Sequence, residues 1–217
     1  MMYRRVQKTC YFGIEVKRLR CRPVTAHGAG STPVSPAYYK IIMKLNYTLI
    51  DDFFEDVDDI REYALSLKYI KSTNDTGWKG FRTQLFDKNI LEFIKSKLIE
   101  VDENFKNLNI RAYYHYSLDN TKNEVKNFKE YRLHKDPSEW AGVIYLTPNP
   151  KENSGTTLHN DDGEIIHNIE NKYNRLIFYR GNILHGVLDT FGDNLENSRL
   201  TITIFGDTID KTSKTLI

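Results

Sequence analysis

Cysteine is nearly missing from this chain: two among 217 residues, Cys10 and Cys21, and none from residue 43 onward. That absence excludes a disulfide framework and any thiolate metal site in the body of the protein. Long apolar runs are missing too. No stretch of about 18 apolar residues occurs, so no transmembrane helix is expected. There is no internal repeat and no low-complexity tract. A long basic stripe is also lacking, which argues against nucleic acid as an electrostatic partner. Aromatic residues, by contrast, are plentiful, at 12% of the chain with 14 Tyr and 11 Phe. That share argues against disorder of the whole chain, and the length suits one well-filled core.

Charge is unevenly placed. Residues 1–42 hold eight of the 31 Lys and Arg residues but one acid, Glu15, so this segment is strongly basic and the remainder slightly acidic. The segment shows no long period of 2 or 3.6 and is rich in turn formers such as Gly28, Gly30, Pro33 and Pro36. Three readings compete for it: a transit peptide, a nucleic-acid-binding arm, and upstream DNA translated in frame. The third is preferred. Gly30-Ser31-Thr32-Pro33 resembles the T-arm of a transfer-RNA gene read as codons, and Met43 opens a stretch that looks like an ordinary domain start. The expectation is a non-native or disordered extension over 1–42 and one domain over 43–217.

Within that domain, Lys44–Ile50 alternates around Leu45, Tyr47 and Leu49 and reads as a strand. Asp51-Asp52 is placed to cap a helix carrying Phe54, Val57, Ile60, Ala64 and Leu65. Ser72–Phe86, with Asn74, Gly77 and Gly80, reads as a loop of lid length. Trp78, Phe81 and Arg82 lie in it, with nothing tying them to a substrate. Asp87–Phe105 reads as a second amphipathic helix. After Leu108 the character changes to short runs rich in β-branched and aromatic residues. These are 110–118, 128–134, 141–147, 155–159, 175–179, 183–185 and 200–205. Helices followed by many strands predict an α+β fold: a double-sheet jelly-roll core, the double-stranded β-helix, with supporting N-terminal helices.

One constellation carries chemistry. His134-Lys135-Asp136 at a strand end sends residues i and i+2 to the same side. His185 follows from a distant strand, after Gly181-Asn182. Two imidazoles and a carboxylate are the ligand types of mononuclear non-haem iron(II) sites, which leave further positions of the ion open. Gly186 would let a co-substrate approach closely. Taken alone the H-x-D is weak, and His115, His159 and His167 are rivals in the same region.

The surroundings extend the pattern. After the H-x-D come Val143-Ile144-Tyr145-Leu146-Thr147 and Ser154-Gly155-Thr156-Thr157. Arg180-Gly181-Asn182 precedes His185, and Ser198-Arg199-Leu200-Thr201-Ile202-Thr203 comes late. In this order and spacing, Tyr131–Phe205 resembles the 2-oxoglutarate/Fe(II) oxygenases of the prolyl-4-hydroxylase-like type. It looks closest to a small branch found in phage and marine bacterial sequences. The resemblance implies that His134, Asp136 and His185 are the metal ligands and catalytic centre. It implies that Arg199 binds the far carboxylate of 2-oxoglutarate, with Tyr145, Thr201 and Thr203 adding hydroxyl groups. Fe(II), 2-oxoglutarate and O2 are then the implied cofactors and co-substrates, with ascorbate as a further candidate. The implied reaction is hydroxylation coupled to decarboxylation of 2-oxoglutarate to succinate. Asp136 favours hydroxylation, because halogenating relatives leave that ligand position to a halide.

The chain departs from the pattern at Thr147, where asparagine is usual, and at Ser154, where glycine is usual. Asp189–Asn197 looks like an insert that delays Arg199, and it leaves Arg175 and Arg180 as rival anchors. Asn174, Arg175 and Trp140 could line the substrate side, with packing favoured for Trp140 and solvent for Arg175. Three competing functions remain: a cupin-like binding module without redox chemistry, an assembly protein, and a zinc-dependent hydrolase. The prime substrate is unknown, whether a protein side chain, a nucleobase or a small molecule. The expected compartment is the cytoplasm.

Overall fold

The computed structural model describes residues 47–73, 78–84, 86–124 and 133–209. The readings of residues 1–42 and of Met43 lie outside these residues, as do Asn74, Gly77 and most of the strand expected over 128–134.

The chain forms two antiparallel sheets. The larger has seven strands in the order β1-β9-β6-β11-β4-β3-β2. These are β1 (Tyr47–Ile50), β2 (Ile70–Lys71), β3 (Phe81–Arg82), β4 (Leu108–Ser117), β6 (Trp140–Tyr145), β9 (Leu176–Arg180) and β11 (Arg199–Thr208). The smaller has four, in the order β5-β10-β7-β8: β5 (Leu133–His134), β7 (Thr156–His159), β8 (Ile165–Ile169) and β10 (Leu184–Val187). Two helices, α1 (Val57–Ser66) and α2 (Lys88–Val101), precede the long strands. This is the expected α+β double-stranded β-helix with supporting helices.

Alternation explains the layers. Along β11, Leu200, Ile202 and Ile204 turn to one face, where they join Ala64, Ile94 and Leu98 of the helices in a fully buried cluster. Arg199, Thr201, Thr203 and Phe205 turn to the other face, toward the small sheet. A second cluster between the sheets gathers Val143, Tyr145, Leu158, Ile169 and Ile177. Both faces of the large sheet are therefore covered, and β6 and β9 read as nearly continuous apolar runs.

Asp51-Asp52 does not cap a helix. The chain runs extended through Phe53 and Phe54, and α1 begins only at Val57. Asp51 instead accepts from Arg175 at 2.6 and 3.0 Å and from Lys172 at 2.9 Å. These bonds hold its carboxyl down to about 2. Asn174, at a positive φ of 62°, fixes the extended stretch. Its side chain bonds both the N–H and the C=O of Phe54, and its own C=O accepts from Phe53. The second helix is shorter than expected and ends in a separate 3-10 turn, Glu103–Asn107. Its start is a side-chain cap, Asp87 accepting from Asn89 and Ile90. Strand β8 went unread because its first residues, Ile165 and Ile166, are exposed together and give no alternation.

Candidate active site

The two sheets enclose a cavity of about 430 Å³. The inner faces of β4 and β11 form one wall. Cross-strand pairing places Arg199 beside Ser117, Thr201 beside His115, Thr203 beside Tyr113 and Phe205 beside Arg111. Arg199 and Phe205 therefore lie three same-face steps apart along one strand.

His134, Asp136 and His185 converge on this cavity, and their ligand atoms lie within 4.8 Å of one another. His185 Nε2 is 3.2 Å from Asp136 Oδ2, and His134 Nε2 is 3.7 Å from Oδ1. His185 and Asp136 are largely buried, while His134 is half exposed. Two ligands at right angles about 2.1 Å from one ion stand about 3 Å apart, so the buried pair is already close to that separation. His185 Nδ1 is 2.9 Å from the Ile183 carbonyl. A carbonyl only accepts, so Nδ1 carries the proton and Nε2 offers its lone pair to the centre. The Tyr179 ring packs on His185 at 4.7 Å, and burial together with Asp136 pushes its phenol well above the ordinary value.

Asp136 is placed by backbone. Its N–H donates to the Gly181 carbonyl at 2.8 Å, and the Gly181 N–H donates to Glu139 at 2.9 Å. A Cβ at position 181 would lie 2.0 Å from the Ser138 carbonyl and 3.4 Å from Asp136 Cβ. Only glycine permits this approach, which links the Gly181-Asn182 turn to the first half of the motif.

Arg199 is 2% exposed. Its Nε donates to the Ser154 carbonyl at 2.8 Å, its guanidinium carbon stands 5.4 Å from the Tyr145 ring, and Nη2 is buried with no partner. Burial lowers its pKa, because nothing nearby fully replaces lost water. Gly155 lets the Ser154 turn pass the small sheet, since a Cβ there would meet the Ile169 carbonyl at 1.8 Å. Thr147, where the family pattern has asparagine, clasps the segment before Arg199: it donates to Ser198 at 2.7 Å and accepts from Leu200 at 3.0 Å. The Asp189–Asn197 insert leaves Arg199 facing the cavity.

The three hydroxyl residues fall differently. Tyr145 is fully buried and gives its proton to Thr156 Oγ1 at 2.7 Å. Thr156 lines the cavity and keeps its own proton to donate; sequence reasoning missed it, although it sits in the quoted Ser154–Thr157 turn. Thr201 and Thr203 donate to the His115 and Tyr113 carbonyls at 3.2 and 3.3 Å. Thr203 lines the cavity.

The rivals are accounted for elsewhere. His159 bonds Gly163 and Thr157, and His167 packs on Tyr47. His115 does line the cavity, but its Nε2 is 2.6 Å from the Lys79 carbonyl, and burial with the neighbouring Arg82 pushes it down to about 3. Arg175 is tied to Asp51, Arg180 lies over Trp140 at 4.1 Å, and Asn174 holds Phe54. Trp140 packs against Phe178 and Phe105. Trp78, Phe81 and Arg82 do not form a plain loop: Phe81–Arg82 pairs with β4, and Trp78 and Arg82 line the cavity.

Comparison with known proteins bears on the fold. The chain is similar to a prolyl-4-hydroxylase from Pseudomonas putida, with a TM-score of 0.53 and 14% identity over 75% of this chain and 92% of that one. It is similar to the non-heme alpha-ketoglutarate-dependent epimerase SnoN of nogalamycin biosynthesis, with a TM-score of 0.52 and 12% identity over 75% and 78%. It is also similar to an oxidoreductase of the 2OG-Fe(II) oxygenase family from Burkholderia pseudomallei, with a TM-score of 0.51 and 12% identity over 76% and 86%. At these identities the likeness is one of fold. Residues 157–206 match a family of unknown function, DUF6445; the stretch holds His185 and Arg199 and ends short of His134 and Asp136. No curated protein sequence matches the chain. No helix among the described residues is long and apolar enough to cross a membrane.

Proposed function

We propose that the protein is a non-haem Fe(II)- and 2-oxoglutarate-dependent oxygenase, acting as a hydroxylase. One observation carries this. A His-Asp-His cluster and a buried arginine with an unpartnered nitrogen face the same cavity. A buried cationic donor left open is costly unless a ligand completes it, and a carboxylate matches its fork. A structural arginine would not account for the open donor.

In this reading, His134, Asp136 and His185 would hold the iron. Arg199 takes the far carboxylate of 2-oxoglutarate. Thr156 donates to the same carboxylate, while Tyr145 orients Thr156 through its hydroxyl and packs beneath the guanidinium. Thr203 and Thr201 brace that wall against β4. The Ile183 carbonyl keeps the His185 tautomer fixed. Val143, Tyr179 and Val187 add apolar side chains to the lining of the same cavity. When bound, iron, 2-oxoglutarate and O2 supply the oxidation of a substrate C–H bond with release of succinate and carbon dioxide. The cytoplasm, where iron stays ferrous and 2-oxoglutarate is available, fits this chemistry.

The test is anaerobic titration of the protein with Fe(II) and 2-oxoglutarate, followed by the visible charge-transfer band of the chelate, with His185→Ala beside the wild type. A band in the wild type that is lost in the variant is the expected result. No band from folded, iron-loaded wild type would leave a jelly-roll binding module as the better reading.

A further inference from the structure

The Asp189–Asn197 insert is a built element with its own internal bonds. Asn197 Oδ1 accepts from the Asp193 and Asn194 N–H groups at 3.0 and 3.1 Å, and Asn194 Oδ1 accepts from Glu196 and Asn197 at 2.9 and 3.2 Å. Gly192, at a φ of 82°, passes so close to Asn197 that a Cβ would lie 2.3 Å from its carbonyl. Arg61 of α1 fastens the insert to the end of β6, donating to the Glu196 carbonyl at 2.6 Å and to the Leu146 carbonyl at 2.8 Å.

The first residues of the insert cross the end of the cavity at Arg199. The Leu188 N–H donates to the Gly155 carbonyl at 3.4 Å, and the Gly192 carbonyl accepts from the Asp119 N–H at 2.9 Å. Gly155 follows Ser154, whose carbonyl takes Arg199 Nε. Asp119 lies two residues past Ser117, the register partner of Arg199. Thr190 is midway between these two fastenings. It lines the cavity and is 4% exposed, and its Oγ1 is buried with no hydrogen-bond partner. Its N–H is held by the Asp189 carboxylate at 2.9 Å, and Lys151 pairs with that carboxylate at 2.8 Å.

A hydroxyl buried without a partner costs free energy, and valine fills the same space without that cost. Arg199 Nη2 is likewise buried and unpartnered, and a guanidinium nitrogen can only donate. The hydroxyl can donate as well. Two open donors lining one cavity match a group that accepts on two oxygens, which is a carboxylate.

Resting on the oxygenase reading, we infer that Thr190 is a specificity residue for the co-substrate. The insert delivers its hydroxyl to the far carboxylate beside Arg199, and so raises the preference for a 2-oxo diacid over a 2-oxo monoacid.

The test is calorimetric binding to protein loaded with Zn(II), independent of turnover. The probes are 2-oxoglutarate and 2-oxopentanoate, the acid of equal chain length that lacks the far carboxylate. Thr190→Val should weaken 2-oxoglutarate about tenfold, the worth of one hydrogen bond to a charged group, and leave 2-oxopentanoate within about twofold. Thr190→Ser keeps the hydroxyl and should bind both probes within about threefold of wild type. Thr190→Val should also unfold at no lower urea concentration than wild type, because the hydroxyl has no partner to lose. Unchanged 2-oxoglutarate binding in Thr190→Val, or an equal loss for both probes, overturns the inference. A Thr190→Val protein that does not fold overturns it too, since the hydroxyl would then serve the fold. Failure of 2-oxoglutarate to bind the zinc-loaded wild type would count against the oxygenase reading instead. Glutarate titrated into metal-free protein then decides the role of Thr190: weaker binding in Thr190→Val supports it, and equal or absent binding overturns it.

Discussion

His134 and His185 are direct register partners across β5 and β10, and their rings lie 4.4 Å apart. Residues paired in this way share a face of the sheet, so one antiparallel pairing brings both imidazoles to the cavity from distant parts of the chain. Asp136 joins them through a turn that depends on Gly181. Each feature of this arrangement has a measurable consequence.

Gly181→Ala should damage the metal centre without touching a ligand. Its methyl would collide with the Ser138 carbonyl, and relief requires moving the segment that presents Asp136. We expect a stability loss of about 1–3 kcal/mol and a metal affinity about 10–100-fold weaker. Denaturant unfolding and Co(II) titration measure the two. Unchanged cobalt binding would show that the Gly181 contact does not place Asp136.

Arg199→Met separates folding from binding. The substitution removes a buried guanidinium with an open donor and keeps most of its length. Stability should stay within about 1 kcal/mol of wild type or rise. Affinity for 2-oxoglutarate should fall about 30-fold or more. A variant that binds 2-oxoglutarate normally would remove Arg199 from the site.

His115 should give acid sensitivity. Its folded value, about 3, lies below the ordinary 6.5. As the pH falls, the unfolded chain therefore takes up the proton first. The stabilisation is complete above about 6.5 and is lost progressively down to about 3, at up to about 1.4 kcal/mol per pH unit. Urea midpoints of wild type should decline between neutral pH and about pH 5, and those of His115→Gln should decline less. Parallel profiles would refute a neutral buried imidazole.

Asn174→Ala tests the clasp that attaches the stretch before α1. The variant loses two side-chain bonds to Phe54 and places alanine at a left-handed φ. A cost of about 2–4 kcal/mol follows. Asn174→Gly should recover about 1 kcal/mol of it, the backbone part. Thermal unfolding of both variants decides this, and equal losses would mean that the backbone conformation contributes nothing.

Much of this architecture was legible in the sequence, and the exceptions have physical causes. Composition, in short runs rich in β-branched and aromatic residues, marked β4, β6, β7, β9 and β11, because these strands bury one face or both. It failed at β8, where Ile165 and Ile166 are both exposed. Helical periodicity began the second helix at Asp87, which proves to be its cap, whereas the capping expected of Asp51 failed because a long-range ion pair with Arg175 outweighs a local cap. The H-x-D, the later histidine and the late arginine could be picked out because ligand chemistry restricts residue type and close spacing.

What the sequence alone determined is the set of chemically able side chains and the strands that carry them, since both depend on residue type and local periodicity. Only the tertiary structure decided which members of that set meet. It pairs His134 with His185, buries Arg199 facing the cavity while Asp51 takes Arg175, and gives the Tyr145 proton to Thr156. It also brings Arg82, Trp78, Tyr113 and Phe205 from three separate segments onto one wall. Such choices rest on strand register and on competition among distant partners for each polar group, and neither leaves a local trace in the chain.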